Sequence, residues 1–444
     1  MARRTKSLAV ILIFFFLINL LLWGRYLLNL TLNGDDVYML VEVLDYLYNF
    51  TDKLLDVSGQ YRPLGRLFYL VYYPQRFSFS SLYFLHLVFY SLIQWFFFIV
   101  VRKKLNFTSA IILTLFIFLN PIFYYHIFTI AADVNLIIIF ILLLMIWLIE
   151  EKKYLLTIPL FLVSIFLKET FILLLPLVFL AIYKSSLNRK KKISLATCLS
   201  MTTGGYFLIR SLSYQQIDSA YSFVFTFQKG FENIGNFAAW LLNHPRGGEF
   251  GYYGFRNLFN YLNSLMILVI WTVGFINAFI KKNAWLIILV SVFLLSLSPF
   301  IFLNRTLLFY MDVPFMTLGL LLAYFVTQKT FKYLMPVMIV SIILSYAAFF
   351  NKWISYSFVA NSQLIASNLM TAIQPHDLDG INEICIMEHG LGSWPTSKGR
   401  IIYLLRPEYN GKIYSLKGES SKYCQDQNRS LSFRNENVEY ILIE

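Results

Sequence analysis

Charged residues are scarce in this chain, and their scarcity excludes a soluble globular fold. Only 14% of the 444 residues are charged, whereas 58% are hydrophobic. Soluble domains carry about 25% charged residues. Apolar stretches of about 15 to 23 residues recur along the sequence, and that length suits helices that cross a bilayer. A transmembrane barrel would instead show short alternating segments. The composition therefore predicts an all-α polytopic membrane protein.

Cysteine is much rarer still, and no tract of metal ligands occurs. Of the three cysteines, Cys198 falls within an apolar run, while Cys385 and Cys424 fall in a polar tail. Two cysteines in one external domain fit a disulfide or two free thiols equally well. The histidines are scattered without metal-ligand spacing. No internal repeat or low-complexity tract stands out.

Acidic residues are outnumbered 24 to 37 by basic ones, and the net charge is +13. The basic excess falls in short clusters between apolar runs, at 102–104, 152–153, 189–192, 281–282 and 329–332. Basic residues accumulate in the cytoplasmic loops of membrane proteins. The positive charge therefore indicates topology, and we expect membrane lipids rather than nucleic acid as partners.

Alternating the apolar runs across the membrane gives about eleven spans, with every basic cluster on the cytoplasmic side. They run near 8–30, 81–101, 108–125, 133–149, 154–168, 170–184, 193–212, 258–280, 284–303, 307–327 and 333–351. The segments 154–168 and 170–184 are short for full crossings and fit a bent hairpin as well. Arg3, Arg4 and Lys6 precede the first run, which we expect to be a retained anchor with a cytoplasmic N-terminus.

The predicted topology places three longer segments on the outer side of the cell (plasma) membrane. Residues 31–80 start with apolar residues at helical spacing, which predicts a helix on the membrane surface. Residues 213–257 form a second large loop, rich in aromatic residues. Residues 352–444 are more polar, with strand-like runs at 401–405 and 438–443, and predict a small external α/β domain. Residues 1–351 would form the transmembrane module.

Acidic residues gather on the same outer side. Asp35 and Asp36 follow the first span, and Asp133 opens the fourth. Ionisable groups at this depth are costly and more often serve function than packing. A carboxylate there can take the proton of an attacking hydroxyl. Each acid also has a structural alternative, as the cap of the helix that begins beside it.

Three cations, Arg62, Lys168 and Arg305, complete the predicted set on the outer side. Arginine and lysine stabilise the negative charge that develops on a departing phosphate. Each again has a structural alternative. Arg62 can extend towards lipid headgroups, Lys168 can pair with the adjacent Glu169, and Arg305 can anchor a span at the interface.

In their order along the chain, these motifs resemble the integral-membrane glycosyltransferases of the C superfamily, in particular protein O-mannosyltransferases and bacterial aminoarabinose transferases. The resemblance covers residues 8–330. The motifs that carry it are Gly34-Asp35-Asp36, Tyr61-Arg62-Pro63-Leu64, Asp133-Val134-Asn135-Leu136, Phe166-Leu167-Lys168-Glu169-Thr170 and Asn304-Arg305-Thr306-Leu307. It implies an inverting sugar transfer from a polyprenyl- or dolichyl-phosphate donor, with an acid of the first external loop as base.

By this resemblance, Asp35 or Asp36 would be the base, and Asp133 would position the acceptor or the base. The cations that would contact the donor phosphate are Arg62, Lys168 and Arg305. Glu169 and His126, the only histidine near Asp133 in sequence, are candidates for support. We expect no cofactor. A divalent metal on the three acids is compatible with carboxylate chemistry, but no ligand spacing indicates one.

The expected activity is a glycosyltransferase that moves a hexosyl or pentosyl group to a lipid, glycan or protein acceptor. One alternative is a lipid or sugar transporter or flippase. Transporters commonly bind substrate near the bilayer midplane and contain repeats, whereas the charges here lie at helix ends. A second alternative is a surface-polysaccharide polymerase or ligase, which uses a lipid-pyrophosphate donor.

Overall fold

The computed structural model describes the chain as a bundle of apolar helices followed by a short sheet. The residues that it describes are 2–27, 40, 43, 49, 64–65, 67–72, 74, 79–130, 133–213, 222–243, 258–281, 283–304, 306, 308–347, 371, 373, 383–388, 412–417, 430–436 and 439–443. All structural statements below concern these residues.

Helix occupies each of the apolar segments predicted from the sequence. The described α-helices are α1 (Ala2–Leu27), α2 (Phe79–Arg102), α3 (Phe107–Phe118), α4 (Tyr124–Phe128), α5 (Asp133–Glu150), α6 (Thr157–Leu167), α7 (Leu175–Lys184), α8 (Arg189–Ser213), α9 (Phe227–Leu241), α10 (Leu258–Lys281), α11 (Ala284–Leu297), α12 (Asp312–Phe325) and α13 (Gln328–Ser345). Short 3-10 turns join several of them, at Leu67–Val71, Pro121–Phe123, Tyr154–Leu156, Glu169–Leu174, Ser298–Phe300 and Leu308–Met311.

Among the described helices, three are long and apolar enough to cross a membrane. They cover Ser80–Arg102, Asp133–Glu150 and Tyr261–Lys281. A fourth span arises if Phe107–Phe118 and Pro121–Phe128, which bend by 58°, count as one. The break follows from Asn120, whose side chain accepts a hydrogen bond from the Ile122 amide beside Pro121. Length and composition thus support a membrane protein.

The two short predicted spans, 154–168 and 170–184, are helices joined by a turn. Helix α6 ends at Leu167, Lys168 is extended, and a 3-10 helix from Glu169 leads into α7. Pro176 lies in the first turn of α7, where its missing amide hydrogen leaves no acceptor unsatisfied. Lys168 is therefore held at the tip of this helical pair.

Helix α12 is the centre of the bundle. Every described residue from Asp312 to Phe325 except Tyr324 is buried. It packs against α2, α3, α5, α10 and α11. Gly319 permits a close approach of α12 to α3, because a Cβ there would lie 2.7 Å from Ile117 Cδ1. A buried helix of this kind fixes the relative positions of the helices around it.

One end of the bundle carries a network of basic residues around Glu150. Lys104 Nζ lies 2.8 Å from Glu150 Oε1, and the Tyr324 hydroxyl donates to the same oxygen at 2.6 Å. Lys103 and Lys153 both lie over the Trp147 ring, at 5.4 and 5.2 Å. The clusters predicted to be cytoplasmic at 102–104 and 152–153 therefore meet at one end.

The opposite end of the bundle holds the acids. Asp133 begins α5 and Asp312 begins α12, whereas Glu150 and Tyr324, near the far ends of the same helices, belong to the basic network. The 18 residues of α5 span about 27 Å at 1.5 Å per residue. That length is close to the hydrocarbon thickness of a bilayer.

The polar tail contains a four-stranded sheet. Its strands are β1 (Glu383–Glu388), β2 (Lys412–Lys417), β3 (Ser430–Glu436) and β4 (Glu439–Ile443), in the order β2-β1-β3-β4. β1 is parallel to β2 and β3, and β4 is antiparallel to β3. The run predicted at 438–443 is thus a strand, and the run at 401–405 lies outside the described residues.

Several other predictions fall on undescribed residues. Of the predicted surface helix in 31–80, Leu40 and Val43 are described, and both are helical and buried. Whether Cys385 and Cys424 form a disulfide or two free thiols concerns side chains outside the described residues. Cys198 is exposed on α8 as a free thiol.

The contact at Gly319 predicts a stability difference between two glycine variants. Gly319→Ala should lower the free energy of unfolding by about 1–3 kcal/mol, since both Cδ1 and Cγ1 of the fully buried Ile117 would have to shift. Gly204→Ala on α8 meets no atom within 4 Å and should gain up to about 1 kcal/mol from helix propensity. Thermal unfolding in detergent compares the two, and equal stabilities would contradict the packing described for α12.

Candidate functional site

The sequence-predicted site residues divide into two groups. Asp35, Asp36, Arg62 and Arg305 lie outside the described residues, as does the side chain of Glu169. Asp133, Lys168 and His126 are described, and all three lie at the end of the bundle opposite the basic network. These three residues and their neighbours form the described part of the site.

Two of the sequence motifs are joined by the backbone. The Leu64 amide donates a hydrogen bond to the Phe166 carbonyl oxygen at 3.1 Å. Leu64 ends the Tyr61-Arg62-Pro63-Leu64 motif, and Phe166 begins the motif that contains Lys168. These two motifs, about 100 residues apart in sequence, therefore meet in the fold.

Asp133 is a fully buried carboxylate with two side-chain partners. The Tyr72 hydroxyl donates a short hydrogen bond to Asp133 Oδ2, and His86 Nδ1 lies 3.0 Å from the same oxygen. Tyr72 and His86 are buried as well. Asp133 Oδ1 has no hydrogen-bond partner among the described residues. The side chain thus binds α2 and the segment before it, rather than the amides of its own helix.

The contact between His86 and Asp133 needs one more proton than a neutral His86 ring and an ionised Asp133 carry together. His86 Nε2 donates to the His126 carbonyl oxygen at 2.6 Å, because a carbonyl can only accept. With that hydrogen on Nε2, Nδ1 of a neutral ring is an acceptor and so is an ionised Asp133. A proton between them, on the ring or on the carboxyl group, makes the 3.0 Å contact favourable.

A second histidine–aspartate pair lies beside the first. His126 Nε2 is 3.0 Å from Asp312 Oδ2, and both side chains are buried. The His126 carbonyl binds His86, so one residue of the short helix α4 contacts both pairs. The bend between α3 and α4 places His126 between α2, which carries His86, and α12, which begins at Asp312.

A hydrogen bond between Lys168 and Asn135 joins the turn between α6 and α7 to the start of α5. Lys168 Nζ donates a short hydrogen bond to Asn135 Oδ1. Asn135 lies in the first turn of α5, two residues after Asp133. The cation is thereby held near the N-terminus of α5, where the helix dipole is positive and favours an anionic ligand.

A pocket opens between these elements. It is small, with a cavity volume of about 20 Å³. Its lining residues are Asn135, Ile138, Lys168, Thr170, Leu173, Ser296, Phe300, Tyr310, Asp312 and Val313. Lys168 and Asp312 thus face a common cavity, whereas the buried Asp133 does not line it.

One wall of the pocket is held by Asn233 of α9. Its Nδ2 donates to the carbonyl oxygens of Ile301 and Leu303, at 2.8 Å each. These carbonyls follow α11, where helical partners are lacking. The adjacent Phe300 stacks on Tyr310 with ring centroids 3.9 Å apart and 2° between the planes. The large loop predicted at 213–257 therefore contributes a support for the pocket.

Sequence reasoning missed most partners of the acids. Tyr72 and His86 precede Asp133 by 61 and 47 residues, and no local spacing connects them. Asp312 belongs to none of the sequence motifs, although among the described residues it is the carboxylate that faces the pocket. The single signal available was the rarity of acids inside apolar runs. Among the described residues, no three metal-ligating side chains form a group.

Comparisons with known proteins gave no match, whether to family models, to curated proteins or to solved structures. The site is therefore interpreted from its own geometry and from the order of its motifs.

The trio around Asp133 predicts a graded loss of stability. Asp133→Ala should lower the free energy of unfolding by about 3–5 kcal/mol, because it removes the acceptor that two buried polar side chains share. Tyr72→Phe removes a single donor and should cost about 1–2 kcal/mol. Unfolding in detergent measures both. A stable but inactive Asp133→Ala protein would instead assign Asp133 to the chemistry alone.

Proposed function

We propose that this chain is a multi-pass glycosyltransferase of about eleven spans. It would move a sugar, with inversion, from a polyprenyl-phosphate donor to an acceptor on the outer face of the plasma membrane. Its N-terminus would be cytoplasmic and its residues 352–444 would form an external α/β domain. The observation that carries the proposal is the pocket shared by Lys168 and Asp312, at the bundle end opposite the basic network.

The chemistry of transfer needs an anion site and an acid–base group in one place. The acceptor oxygen attacks the anomeric carbon while a carboxylate takes its proton. The bond from that carbon to the phosphate oxygen breaks, and its electron pair leaves with the phosphate. Lys168 supplies positive charge where this negative charge develops. Asp35 or Asp36 is the proposed base, on the strength of the motif order.

The remaining predicted residues take supporting roles in this proposal. Asp133, bound to Tyr72 and His86, fixes the first turn of α5, from which Asn135 reaches Lys168. His126 would hold Asp312 at the pocket. The proposed phosphate contacts of Arg62 and Arg305 rest on the motif order, as does support from Glu169.

Removing the charge of Lys168 should impair transfer specifically. Lys168→Met keeps the length of the side chain, and loss of a transition-state charge partner typically costs about 100- to 1000-fold in rate. Lys184→Met is the matched control, since Lys184 lies over Trp285 at 5.8 Å, away from the pocket. The assay follows transfer from polyprenyl-phosphate hexoses and pentoses in proteoliposomes by mass spectrometry. Equal rates in both variants would remove Lys168 from the site.

The base assignment has its own test. Asp35→Asn or Asp36→Asn should abolish transfer while leaving the protein inserted and folded, because an amide cannot take the acceptor's proton. Full activity in both variants would reject the assignment.

The same reconstitution separates the alternative functions. Movement of labelled lipid across the vesicle without a new glycosidic bond would identify a transporter or flippase. Turnover with only pyrophosphate-linked donors would identify a polymerase or ligase.

A further inference from the structure

Helix α9 exposes large apolar side chains on one of its sides. Phe227 and Phe231 are 87% and 73% exposed, and Ile234 is 49% exposed. Spacings of four and three residues put these three side chains on the same side of a helix. Contiguous exposed apolar surface marks a site of contact with another protein or with a membrane. This apolar side of α9 is left uncovered by the described part of the chain.

The segment just before α9 is also aromatic, and it is fixed to the bundle. Phe223 and Phe225 are exposed, and their rings stack with centroids 5.7 Å apart. The Val224 amide between them donates to the Phe302 carbonyl oxygen at 2.7 Å, and Phe223 forms an antiparallel bridge with Leu303. The aromatic side chains are thus held on hydrogen-bonded backbone beyond the end of α11.

A second side of α9 packs against the bundle. Asn233, Phe237 and Trp240 are buried there, and the helix contacts the 3-10 turn Leu308–Met311. That turn leads directly into Asp312. Helix α9 therefore lies at the end of the bundle that holds the acids, opposite the basic network.

The third side of α9 is polar but carries no net charge. Gln228 and Glu232 are exposed, each one position after an exposed phenylalanine. Lys229 Nζ lies 3.3 Å from Glu232 Oε2, and these two are the only charged residues of the helix. Charge therefore favours neither an acidic nor a basic partner, and the partner of the apolar side is selected by its apolar character.

The neighbour and the length of α9 identify that partner as lipid. Trp271 Nε1 of α10 donates to the Leu241 carbonyl oxygen, where α9 ends, at 3.3 Å. Helix α10 is one of the candidate spans, and most side chains of that span are not buried, so its apolar surface faces lipid. The 15 residues of α9 extend about 22 Å, too short to cross a hydrocarbon core of about 30 Å. One buried, one apolar and one polar side are typical of a helix that lies in the membrane interface.

We propose that α9 is an interfacial helix that inserts Phe227, Phe231 and Ile234 into the acyl region of the leaflet next to Asp312. The occupant of its apolar side is a phospholipid leaflet, recognised by hydrocarbon rather than by headgroup charge. Because Asn233 on the buried side binds the carbonyls that follow α11, the leaflet supports one wall of the pocket. The proposal concerns membrane contact and does not depend on sugar transfer.

Nitroxide labels on the full chain test the position of α9 in a bilayer. The three native cysteines are replaced by serine, and the protein is reconstituted in phosphatidylcholine vesicles, which carry no net charge. Labels are attached to Phe227→Cys and Phe231→Cys. The matched controls are Gln228→Cys and Glu232→Cys, which lie one residue further on, about 100° around the helix. Collision rates with oxygen, which concentrates in lipid, and with a water-soluble nickel chelate are measured for each label.

Labels at Phe227 and Phe231 should show a several-fold higher ratio of oxygen to nickel collisions than the labels at the two control positions. Equal ratios at all four positions would place the apolar side in water and overturn the proposal. Loss of both kinds of collision, together with spin–spin broadening, would show that a second copy of the chain covers this side, which also overturns it.

A second measurement keeps the native cysteines, in case the cysteine-free chain fails to fold. Phe231→benzoylphenylalanine retains an aromatic side chain and forms a photo-adduct with whatever C–H bond lies beside it. A phosphatidylcholine adduct on the peptide that contains position 231, identified by mass spectrometry, supports the proposal. A cross-linked dimer, or a chain without a lipid adduct, contradicts it.

Discussion

The rest of the structure depends on the burial of α12 between five other helices. A helix without an exposed face can carry ionisable side chains only where other side chains bind them. Helix α12 carries such groups at its two ends. Asp312 meets His126 at the first turn, and Tyr324 meets Glu150 at the last. The apolar middle, with Gly319 against Ile117, keeps these two polar layers apart.

The separation of the two layers gives each end of the bundle a distinct chemistry. At the basic end, lysines are partly exposed and pair with carboxylates or aromatic rings. At the other end, the histidines and aspartates are buried and bind one another. Burial strengthens electrostatic interactions, so the proposed site lies where a charge on a ligand would have the largest effect.

Sequence patterns predicted the helices well, because long apolar runs leave few alternatives for the backbone. They also predicted that Asp133 and Lys168 would fall at one end, since helix direction alternates with each run. They could not predict that His86 binds Asp133, or that Asp312 and not Asp133 faces the cavity. Such pairings depend on the rotation of each helix about its own axis. The sequence of a helix that is apolar on nearly all sides, such as α5, does not indicate that rotation.

The bonds from Asn233 to residues 301 and 303 have a consequence for the order of assembly. They join positions 68 and 70 residues apart, with α10 and α11 between them. Contacts of long sequence separation close late, after the intervening chain is available. During synthesis, the wall that carries Phe300 is therefore completed only after α11 has been made, and Asp312, which follows it, joins last. The cavity therefore cannot form before the chain has been made as far as Asp312, although Asp133 and Lys168 lie much earlier in the sequence.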